Sequence, residues 1–530
     1  MSSYSRVDVN DTSKNPPFPD PISFSTPQQA RQRQTHISDE EKGLIEHEYQ
    51  ENHGQQKYPH VSQMVDNRGG PETFWERFSR KGKRKVGVIK SLRNLALSSW
   101  INILLLLIPV SWLAHFRQEE AEWGHVTVFI LALLAIIPLE HLFEYGGDQM
   151  RCYLGKDLGD LVVITLNNAV EATLGVMLLL KCELVLLKST IIEITGVIIL
   201  HLLLVPGTAF ILGGARIIQQ DLHPHLTQLN QSTLTVGVLT LLLPFAIFTA
   251  LNSSFNPRGG EVVSAVNDEV RGKILELSRG LAILLLIVYV CSRIYLHNPP
   301  GEDNAMALHL APNAPEALKH EAELFKKREP ELNQWVCIIM LLVALGLMAT
   351  TAEWLVESIE PVREEGNISE IWFGLILLPL VSFAADGLLA SVYFVRHMLR
   401  HFFKEPIAPT TLAQAESIDL SIQFALFWMP LYVLIGWFSG RPLTLLFDIF
   451  EVALVIGSCF LVNYVTADSK TNWAEGVAMV IFYVMIALAA WFYDGQPETM
   501  VMSTCESVAS VIAALASGGG EGDLTSTAHH

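Results

Sequence analysis

Two polar islands interrupt long apolar stretches of this chain. The first, LNNAVEATLG at residues 166–175, carries Asn168 and Glu171, and the second, SFAADGLLA at residues 382–390, carries Asp386. Both islands contain small residues, as a broken or closely packed helix requires. A carboxylate near the centre of a bilayer costs about 2.5–3.5 kcal/mol on insertion scales, so it normally faces a cavity or a partner. Two acids in matching islands therefore predict a cation or proton site, with two buried structural carboxylates as the alternative.

Two facing carboxylates can bind a divalent cation when they are ionised, and protons when the cation leaves. Desolvation favours the protonated form and a bound cation favours the ionised form, so cation and protons compete for the same oxygens. Coupled to alternating access, this competition gives antiport. Because Ca²⁺ prefers about six to eight hard oxygen ligands, amide, hydroxyl and backbone oxygens would have to complete its shell.

The elements that would position these acids are membrane-spanning helices. Of the 530 residues, 50% are hydrophobic and 17% are charged, whereas a soluble protein carries charge on about a quarter of its residues. Apolar stretches of the length that a spanning helix needs recur along the chain. This pattern predicts an all-α polytopic membrane protein with about 11 transmembrane helices. The predicted spans are residues 99–116, 125–145, 159–180, 189–212, 233–251, 279–296, 334–357, 371–395, 415–438, 443–465 and 474–493.

Charge in the loops predicts the orientation of the spans. The basic run RKGKRK at residues 80–85 precedes the first span, and the positive-inside rule places such a run in the cytosol. Loops after even-numbered spans are then cytosolic, and they hold most of the loop lysines and arginines. Lumenal loops such as 117–124 and 358–370 are acidic. Nucleic-acid binding is the competing interpretation of the basic run.

The spans divide into two halves. Residues 1–98 are rich in Pro, Gln, Ser and charge, which predicts a disordered cytosolic tail. A polar cytosolic loop at 297–333 separates the first helix and first repeat, at 99–296, from a second repeat at 334–494. Five spans in each half insert the second repeat upside down relative to the first, which is the inverted-repeat plan of many secondary transporters. Residues 495–530 are a C-terminal tail, predicted to be lumenal.

Six segments of the membrane portion resemble, in order, one known transporter family. They are HLLLVPGTAFILGG (201–214), LSRGLAILLLIVYV (277–290), AEWLVES (352–358), GLILLPLVSFAADG (374–387), ALFWMPLYVLIGW (425–437) and LVNYVTADSKTNWAEG (461–476). The family is the cation/proton exchanger (CAX) branch of the Ca²⁺:cation antiporter superfamily, fungal vacuolar calcium/proton exchanger type. The resemblance implies a sodium/calcium exchanger-like fold, with one initial helix and two inverted five-helix repeats.

The resemblance also implies the residues that bind the cation. The family signatures read G-N-A-V-E and G-N-A-A-E-H, and Asn168 and Glu171 keep the asparagine and glutamate of the first. In the second, Phe383 replaces the asparagine, Asp386 the glutamate and Gly387 the histidine. Glu171 and Asp386 are thus the implied metal ligands and proton carriers. The altered second signature bears on which ion is selected.

The helix that follows each signature supplies hydroxyl and amide oxygens in the family. In the segment DLSIQ, Ser421 and Gln423 remain, whereas Asp419 replaces a glycine. Asn168, Ser421 and Gln423 are therefore the further metal ligands that the resemblance implies. Glu353 on the seventh span matches a position that the resemblance links to the proton path, and pairing with a basic residue is the alternative.

Other titratable residues near the signatures are additional candidates for the site. Asp419 and Glu193 are candidate ligands, and the alternative is that each faces water at a lumenal helix end. His201 stands where the family has asparagine and is a candidate proton relay, with a packed histidine as the alternative. Asp148 occupies one of two positions that are paired glutamates in the family. Whether Glu193 or Gly196 takes the family's glycine position in this helix is open.

We expect a secondary transporter rather than an enzyme. It would move Ca²⁺, or a related divalent cation such as Mn²⁺, from the cytosol into an acidic organelle, the vacuole, in exchange for H⁺. The six cysteines include no short-spaced pair, and we expect no cofactor and no nucleic-acid partner. One alternative is a divergent exchanger paralogue with monovalent selectivity or no transport. The other is a membrane scaffold or regulatory protein that keeps the fold and uses its tails for partners.

Overall fold

A computed structural model describes most of the membrane portion of the chain. It covers residues 74–82, 85–117, 124–181, 186–214, 218–252, 266–297, 328–380, 383 and 416–516. The predicted tail up to residue 73, most of the predicted 297–333 loop and Asp386 lie outside the described residues.

The described residues form helices and one short antiparallel strand pair. The helices are α1 (Phe74–Phe78), α2 (Val88–Leu97), α3 (Leu107–Phe116), α4 (His125–Leu154), α5 (Lys156–Asn167), α6 (Ala169–Lys181), α7 (Leu186–Ile199), α8 (Val205–Gly214), α9 (Pro224–Asn252), α10 (Asp268–His297), α11 (Gln334–Glu357), α12 (Ile359–Gly366), α13 (Glu370–Trp372), α14 (Glu416–Gln423), α15 (Met429–Ser439), α16 (Ile449–Val465), α17 (Trp473–Trp491), α18 (Pro497–Met502) and α19 (Val508–Ala516). A 3₁₀ helix, Trp100–Leu106, leads into α3, and π-helical turns at Leu200–Leu204, Phe373–Leu377 and Phe424–Trp428 follow α7, α13 and α14. The strands are β1 (Gln220–Asp221) and β2 (Lys470–Thr471).

The helices suit a membrane in length and composition. Within the described residues, seven continuous helices are long and apolar enough to span a bilayer, or up to nine if each of two bent pairs is one span. The bent pairs are α2 with the 3₁₀ helix and α3, at 92°, and α5 with α6, at 53°. α16 and the segment that α13 begins are shorter apolar helices. Each predicted span overlaps a helix, whereas the number eleven stays a prediction.

Corresponding helices of the two halves share an unusual local feature. The fourth predicted span contains α7, a π turn at Leu200–Leu204 and α8. The ninth contains α14, a π turn at Phe424–Trp428 and α15. Because π turns are rare and often occur at functional sites, their presence in matching helices of both halves is consistent with the predicted repeat.

One set of contacts joins segments that are predicted to lie on the same side of the membrane as the N-terminus, because successive spans cross the membrane in alternating directions. The Asn333 backbone N–H donates to Ser91 Oγ at 2.9 Å, which connects the start of α11 to α2. Tyr153 near the end of α4 donates its hydroxyl to the Leu332 carbonyl at 2.6 Å. The pairing of β1 with β2 likewise joins the loops after the fourth and tenth spans. These loops share a side, as alternation requires, and the cytosolic location of that side stays a prediction.

A second set of contacts gathers the segments assigned to the other side. Asp268 at the start of α10 accepts the Val508 backbone N–H at 2.9 Å. Tyr493, which follows α17, donates its hydroxyl to Asp448 Oδ1 at 2.7 Å, immediately before α16. The Gln496 backbone N–H donates to the other carboxylate oxygen of Asp448 at 2.9 Å. Together these contacts place the C-terminal segment beside the starts of α10 and α16.

Close helix contacts explain one glycine whose role the sequence leaves open. A Cβ on Gly196 would collide with the carbonyl oxygen of Leu375, so α7 approaches the π turn after α13 at backbone distance. A Cβ on Gly207 would lie 3.0 Å from the Gly476 carbonyl oxygen, so α8 also lies close to the backbone of α17. Gly196, rather than Glu193, therefore takes the close-packing position of its helix.

Helices occur within both segments that composition assigns to tails. α1 and α2 lie within residues 1–98, and α18 and α19 lie within residues 495–530. The bent pair that α2 forms with the first span leaves Ile89 and Leu92 exposed on its surface. Val508 at the start of α19 is buried in a small apolar cluster with Phe248 of α9. Apolar contacts at Val508 thus hold the C-terminal segment against the bundle.

Candidate cation and proton site

The third predicted span breaks inside the first polar island. α5 ends at Asn167 and α6 begins at Ala169, and the two segments meet at 53°. Asn168, at the break, is fully buried and has φ −93° and ψ 8°. Its backbone carbonyl still accepts the Ala172 N–H at 2.9 Å. The bend allows the Asn168 side chain to bond outside its own helix.

The structure brings together two predicted ligands from opposite halves. Asn168 Nδ2 donates to Gln423 Oε1 at 2.7 Å, and Gln423 Nε2 donates to Thr165 Oγ1 at 2.9 Å. Asn168 Oδ1 is buried and accepts no hydrogen bond from the described residues. The amide pair thus fixes the orientation of both side chains and leaves one carbonyl oxygen for a ligand.

Glu171 lies close after the break, in the first turn of α6. Its side chain is only 3% exposed, and its Oε1 lies 3.6 Å from His201 Nε2. His201 belongs to the first π turn, so the irregular turn presents the imidazole to the carboxylate. Tyr432 on α15 donates its hydroxyl to the Glu171 backbone carbonyl at 3.4 Å. Glu171 and His201, predicted separately, are therefore neighbours.

Glu193 on α7 is a second buried acid in this region. It is 1% exposed, which excludes the water-facing helix end that the sequence leaves as the alternative. Neither of its carboxylate oxygens has a hydrogen-bond partner among the described residues. Glu193 lies close enough to Glu171 for the two carboxylates to interact electrostatically.

Asp419 has a different environment, because it forms a buried ion pair. Arg293 on α10 donates from Nη2 to Asp419 Oδ1 at 2.7 Å and from Nη1 to Oδ2 at 2.9 Å. Both side chains are 8% exposed, and the guanidinium also lies 5.0 Å from the Tyr289 ring centroid. Asp419 therefore does not face water, and its oxygens are already bound by Arg293.

Sequence reasoning missed Arg293. It is a lone arginine near the end of the sixth predicted span, and an ionisable residue within a span is by default a candidate for function. That signal is present in the sequence, but the partner of Arg293 lies 126 residues away. Only the three-dimensional structure shows which acid the arginine meets.

Ser421 is buried, one turn after Ser417 on α14. Its hydroxyl lies 3.4 Å from the Ser417 carbonyl and 3.5 Å from the Ile198 carbonyl on α7. Both distances are long for hydrogen bonds between oxygens. Ser421 thus stands between α14 and α7 with its hydroxyl only weakly engaged.

Two of the predicted site residues lie apart from the cluster of buried polar residues described above, and a third lies outside the described residues. That cluster consists of Asn168, Glu171, Glu193, His201 and Gln423. Glu353 is exposed on α11. Asp148 accepts a hydrogen bond from Arg328 at 2.6 Å, beside the segment that leads to α11. Asp386 lies outside the described residues, so its predicted meeting with Glu171 stays a prediction. Phe383, from the same signature, is partly buried and packs against the hydrophobic core that includes Phe424 and Tyr432.

The chemistry of this cluster is that of hard oxygens. The described residues include no group of three or more His, Cys, Asp and Glu side chains that could hold a metal ion. A cation bound here would therefore need oxygens of other kinds, and Asn168 Oδ1 is one. Carboxylate and amide oxygens suit Ca²⁺ better than a soft transition metal.

Comparisons with known proteins agree with this fold. The family described as sodium/calcium exchanger protein matches residues 336–492. The vacuolar calcium ion transporter of Schizosaccharomyces pombe is 30% identical over 410 residues, which cover 77% of this chain and 88% of the relative. The Ca²⁺/H⁺ antiporter of Aphanothece halophytica is 30% identical over 403 residues, which cover 74% and 97%.

A solved structure supports the architecture. The structure of native YfkE aligns with a TM-score of 0.53 and 21% sequence identity, and the alignment covers 74% of this chain and all of that chain. At this identity the similarity concerns the fold alone. Together with the relatives of 30% identity, it shows that this chain belongs to the Ca²⁺/cation exchanger family of membrane transporters.

Proposed function

We propose that the protein is a secondary active antiporter that moves Ca²⁺ from the cytosol into the vacuole in exchange for protons. The relatives named as vacuolar calcium ion transporters and Ca²⁺/H⁺ antiporters support the substrate and the compartment. The observation that carries the proposal is the buried acid Glu171, close after a helix break in a span. Mn²⁺ is an alternative divalent substrate with the same preference for oxygen ligands.

Glu171 is the group that would carry both ions. Its burial excludes bulk water, so its charge must be balanced by a bound cation or removed by a proton. His201 at 3.6 Å is the neighbour through which a proton would arrive or leave. Because Ca²⁺ and protons compete for the same oxygens, proton loading from an acidic lumen would release Ca²⁺ there.

The amide pair would supply a further oxygen to the cation. Asn168 Oδ1 is the oxygen left over by the bond between Asn168 and Gln423. The two residues belong to the break after α5 and to α14, which lie in different halves of the chain. A relative movement of the halves would change the distance between Glu171 and Gln423, which is the movement that alternating access requires. Asp386 is the proposed second acid, with Ser421 as a further oxygen ligand.

The altered second signature is the observation that favours two competing functions. Phe383 and Gly387 lack the side-chain donors and acceptors that the family signature has at these positions. A site so changed would select a monovalent cation or transport none, and the protein would then act as a membrane scaffold. Measured ion selectivity separates these functions from Ca²⁺/H⁺ exchange.

Transport by purified protein in proteoliposomes tests the proposal. The vesicles are loaded at acidic pH and diluted into alkaline buffer with radiolabelled Ca²⁺, and the variants Glu171→Gln and Asp386→Asn are compared with wild type. We expect uptake by wild type that an ionophore for protons abolishes, and background uptake by both variants. Uptake of K⁺ or Na⁺ but not Ca²⁺ would support the monovalent alternative, and no uptake of any cation would support the scaffold.

A further inference from the structure

Glu193 is a buried acid for which the described protein supplies no hydrogen bond. Its side chain is 1% exposed, and both carboxylate oxygens are buried without a partner among the described residues. Burying a carboxylate costs several kcal/mol unless a partner compensates it. An acid kept in such a place on a spanning helix is expected to meet its partner during function.

The neighbours of Glu193 belong to the site. Glu171 on α6 and Tyr432 on α15 both interact with it electrostatically. The Tyr432 hydroxyl donates to the Glu171 backbone carbonyl at 3.4 Å, and a Cβ on Gly175 would lie 2.8 Å from that hydroxyl. Glycine at 175 thus lets Tyr432 enter between the helices. The groups that interact with Glu193 are thus a carboxylate and a phenol.

The chain direction places Glu193 beyond Glu171. Glu193 lies seven residues after the start of α7, or about 10 Å along the helix. Glu171 lies ten residues before the end of α6, or about 15 Å along it. Because only four residues separate the end of α6 from the start of α7, both helix ends belong to one end of the bundle, and Glu193 is nearer to that end than Glu171 by about 5 Å. The predicted orientation makes this the lumenal end.

We infer that Glu193 is a further carboxylate ligand of the transported cation, in addition to Glu171 and Asp386, located between Glu171 and the end of the bundle where α6 meets α7. The cation would contact Glu193 as it passes between Glu171 and that surface. With two acids placed one after the other along the path, the cation can pass from one carboxylate to the next, and neither acid has to bind it so tightly that it cannot leave. This inference rests on the proposed function, because it assigns Glu193 to the path of the same cation.

Equilibrium binding of radiolabelled Ca²⁺ to the purified full-length chain tests the inference without transport. Glu193→Gln keeps the shape of the side chain and removes its charge. Thr195→Val is the matched control, because Thr195 is equally buried on α7 and its hydroxyl donates to the Ile191 carbonyl one turn away, at 3.2 Å. We expect Glu193→Gln to weaken Ca²⁺ binding by about tenfold, and Thr195→Val to leave it unchanged.

A structural role for Glu193 gives a different result. Thermal unfolding of each variant without Ca²⁺ measures that role, and we expect Glu193→Gln to unfold at or above the wild-type temperature because it removes an uncompensated acid. Unchanged Ca²⁺ affinity in Glu193→Gln overturns the inference, even where wild type exchanges Ca²⁺ for protons. Wild type that binds Ca²⁺ but does not exchange it refutes the proposed function alone. No Ca²⁺ binding by wild type overturns both.

Discussion

Two buried acidic regions of this protein differ in what balances their charge. Asp419 is bound by Arg293 through two hydrogen bonds of 2.7 and 2.9 Å. Glu193 has no hydrogen-bond partner among the described residues, and Glu171 has an imidazole neighbour, His201, at 3.6 Å. A guanidinium keeps its proton at physiological pH, whereas an imidazole exchanges one. The first region is therefore permanently neutralised, and the second is suited to exchange its counter-ion.

This difference is the reason why we propose Glu171 and Glu193 as transport acids and regard Asp419 as a structural acid. A fixed ion pair holds α10 against α14 whether or not a cation is bound. An acid without a fixed cation responds to protons and Ca²⁺ in turn. Burial alone does not make this distinction, because Asp419, Glu171 and Glu193 are all buried.

The strongest loss of Ca²⁺ binding is expected when Glu171 is replaced. Glu171→Gln should weaken Ca²⁺ binding by about a hundredfold, because the loss of a ligand should cost at least as much as the loss of a residue that only orients one, which is about 10–100-fold. Wild-type affinity should fall as pH falls, because protons compete with Ca²⁺, by about tenfold per pH unit for each proton displaced. The variant should lose part of this pH dependence. Calcium titrations between about pH 5 and 8 measure both, and an unchanged slope would show that Glu171 is not the group that protons occupy.

A large effect on stability, rather than on Ca²⁺ binding, is expected when the ion pair of Arg293 and Asp419 is broken. Arg293→Leu leaves Asp419 buried without its cation and should lower the free energy of unfolding by about 3–5 kcal/mol. The double variant Arg293→Leu with Asp419→Leu should recover most of that loss, because it removes both charges. Unfolding in detergent measures the two. Equal destabilisation of the single and double variants would contradict a mutually neutralised pair.

Sequence reasoning identified two side chains that meet across the halves, but it did not identify the other partners of the buried acids. Positions in spans and the family resemblance pointed to Asn168 and Gln423, and these two side chains do meet. Helix periodicity cannot show how α10 is rotated against α14, so the partner of Asp419 was not predicted. Asp148 was grouped with the site because it matches a family position, yet its carboxylate bonds Arg328.

The amide pair should have a weaker effect than either buried acid region. Gln423→Leu removes the acceptor for Asn168 and the donor for Thr165. Hydrogen bonds between membrane helices contribute about 1 kcal/mol, so stability should fall by a similar amount. Ca²⁺ affinity should also fall, because Asn168 Oδ1 is no longer held in place. Thr195→Val is the comparison, since Thr195 is buried on α7 and its hydroxyl donates within its own helix, and an equal loss in both variants would contradict the special role of the pair.

The weakest effects on Ca²⁺ binding are expected for Glu353 and Asp148, which lie apart from the buried acids. Glu353→Gln and Asp148→Asn should each change Ca²⁺ affinity by less than about twofold, because neither side chain joins the buried acids. The proposed proton-path role of Glu353 would instead slow the maximal exchange rate. Initial rates over a range of Ca²⁺ concentrations separate the two effects. A large rise in the half-saturating Ca²⁺ concentration for either variant would place that residue in the site.

The proposed expulsion of protons through Glu171 during Ca²⁺ entry can be tested in a single experiment. Proteoliposomes contain a pH-sensitive dye and begin without a pH gradient, and Ca²⁺ is then added outside. We expect the lumen of wild-type vesicles to become alkaline as Ca²⁺ enters, and vesicles with Glu171→Gln to show no change. Alkalinisation of equal size in both would contradict proton carriage by Glu171, as would Ca²⁺ entry into wild-type vesicles without any movement of protons.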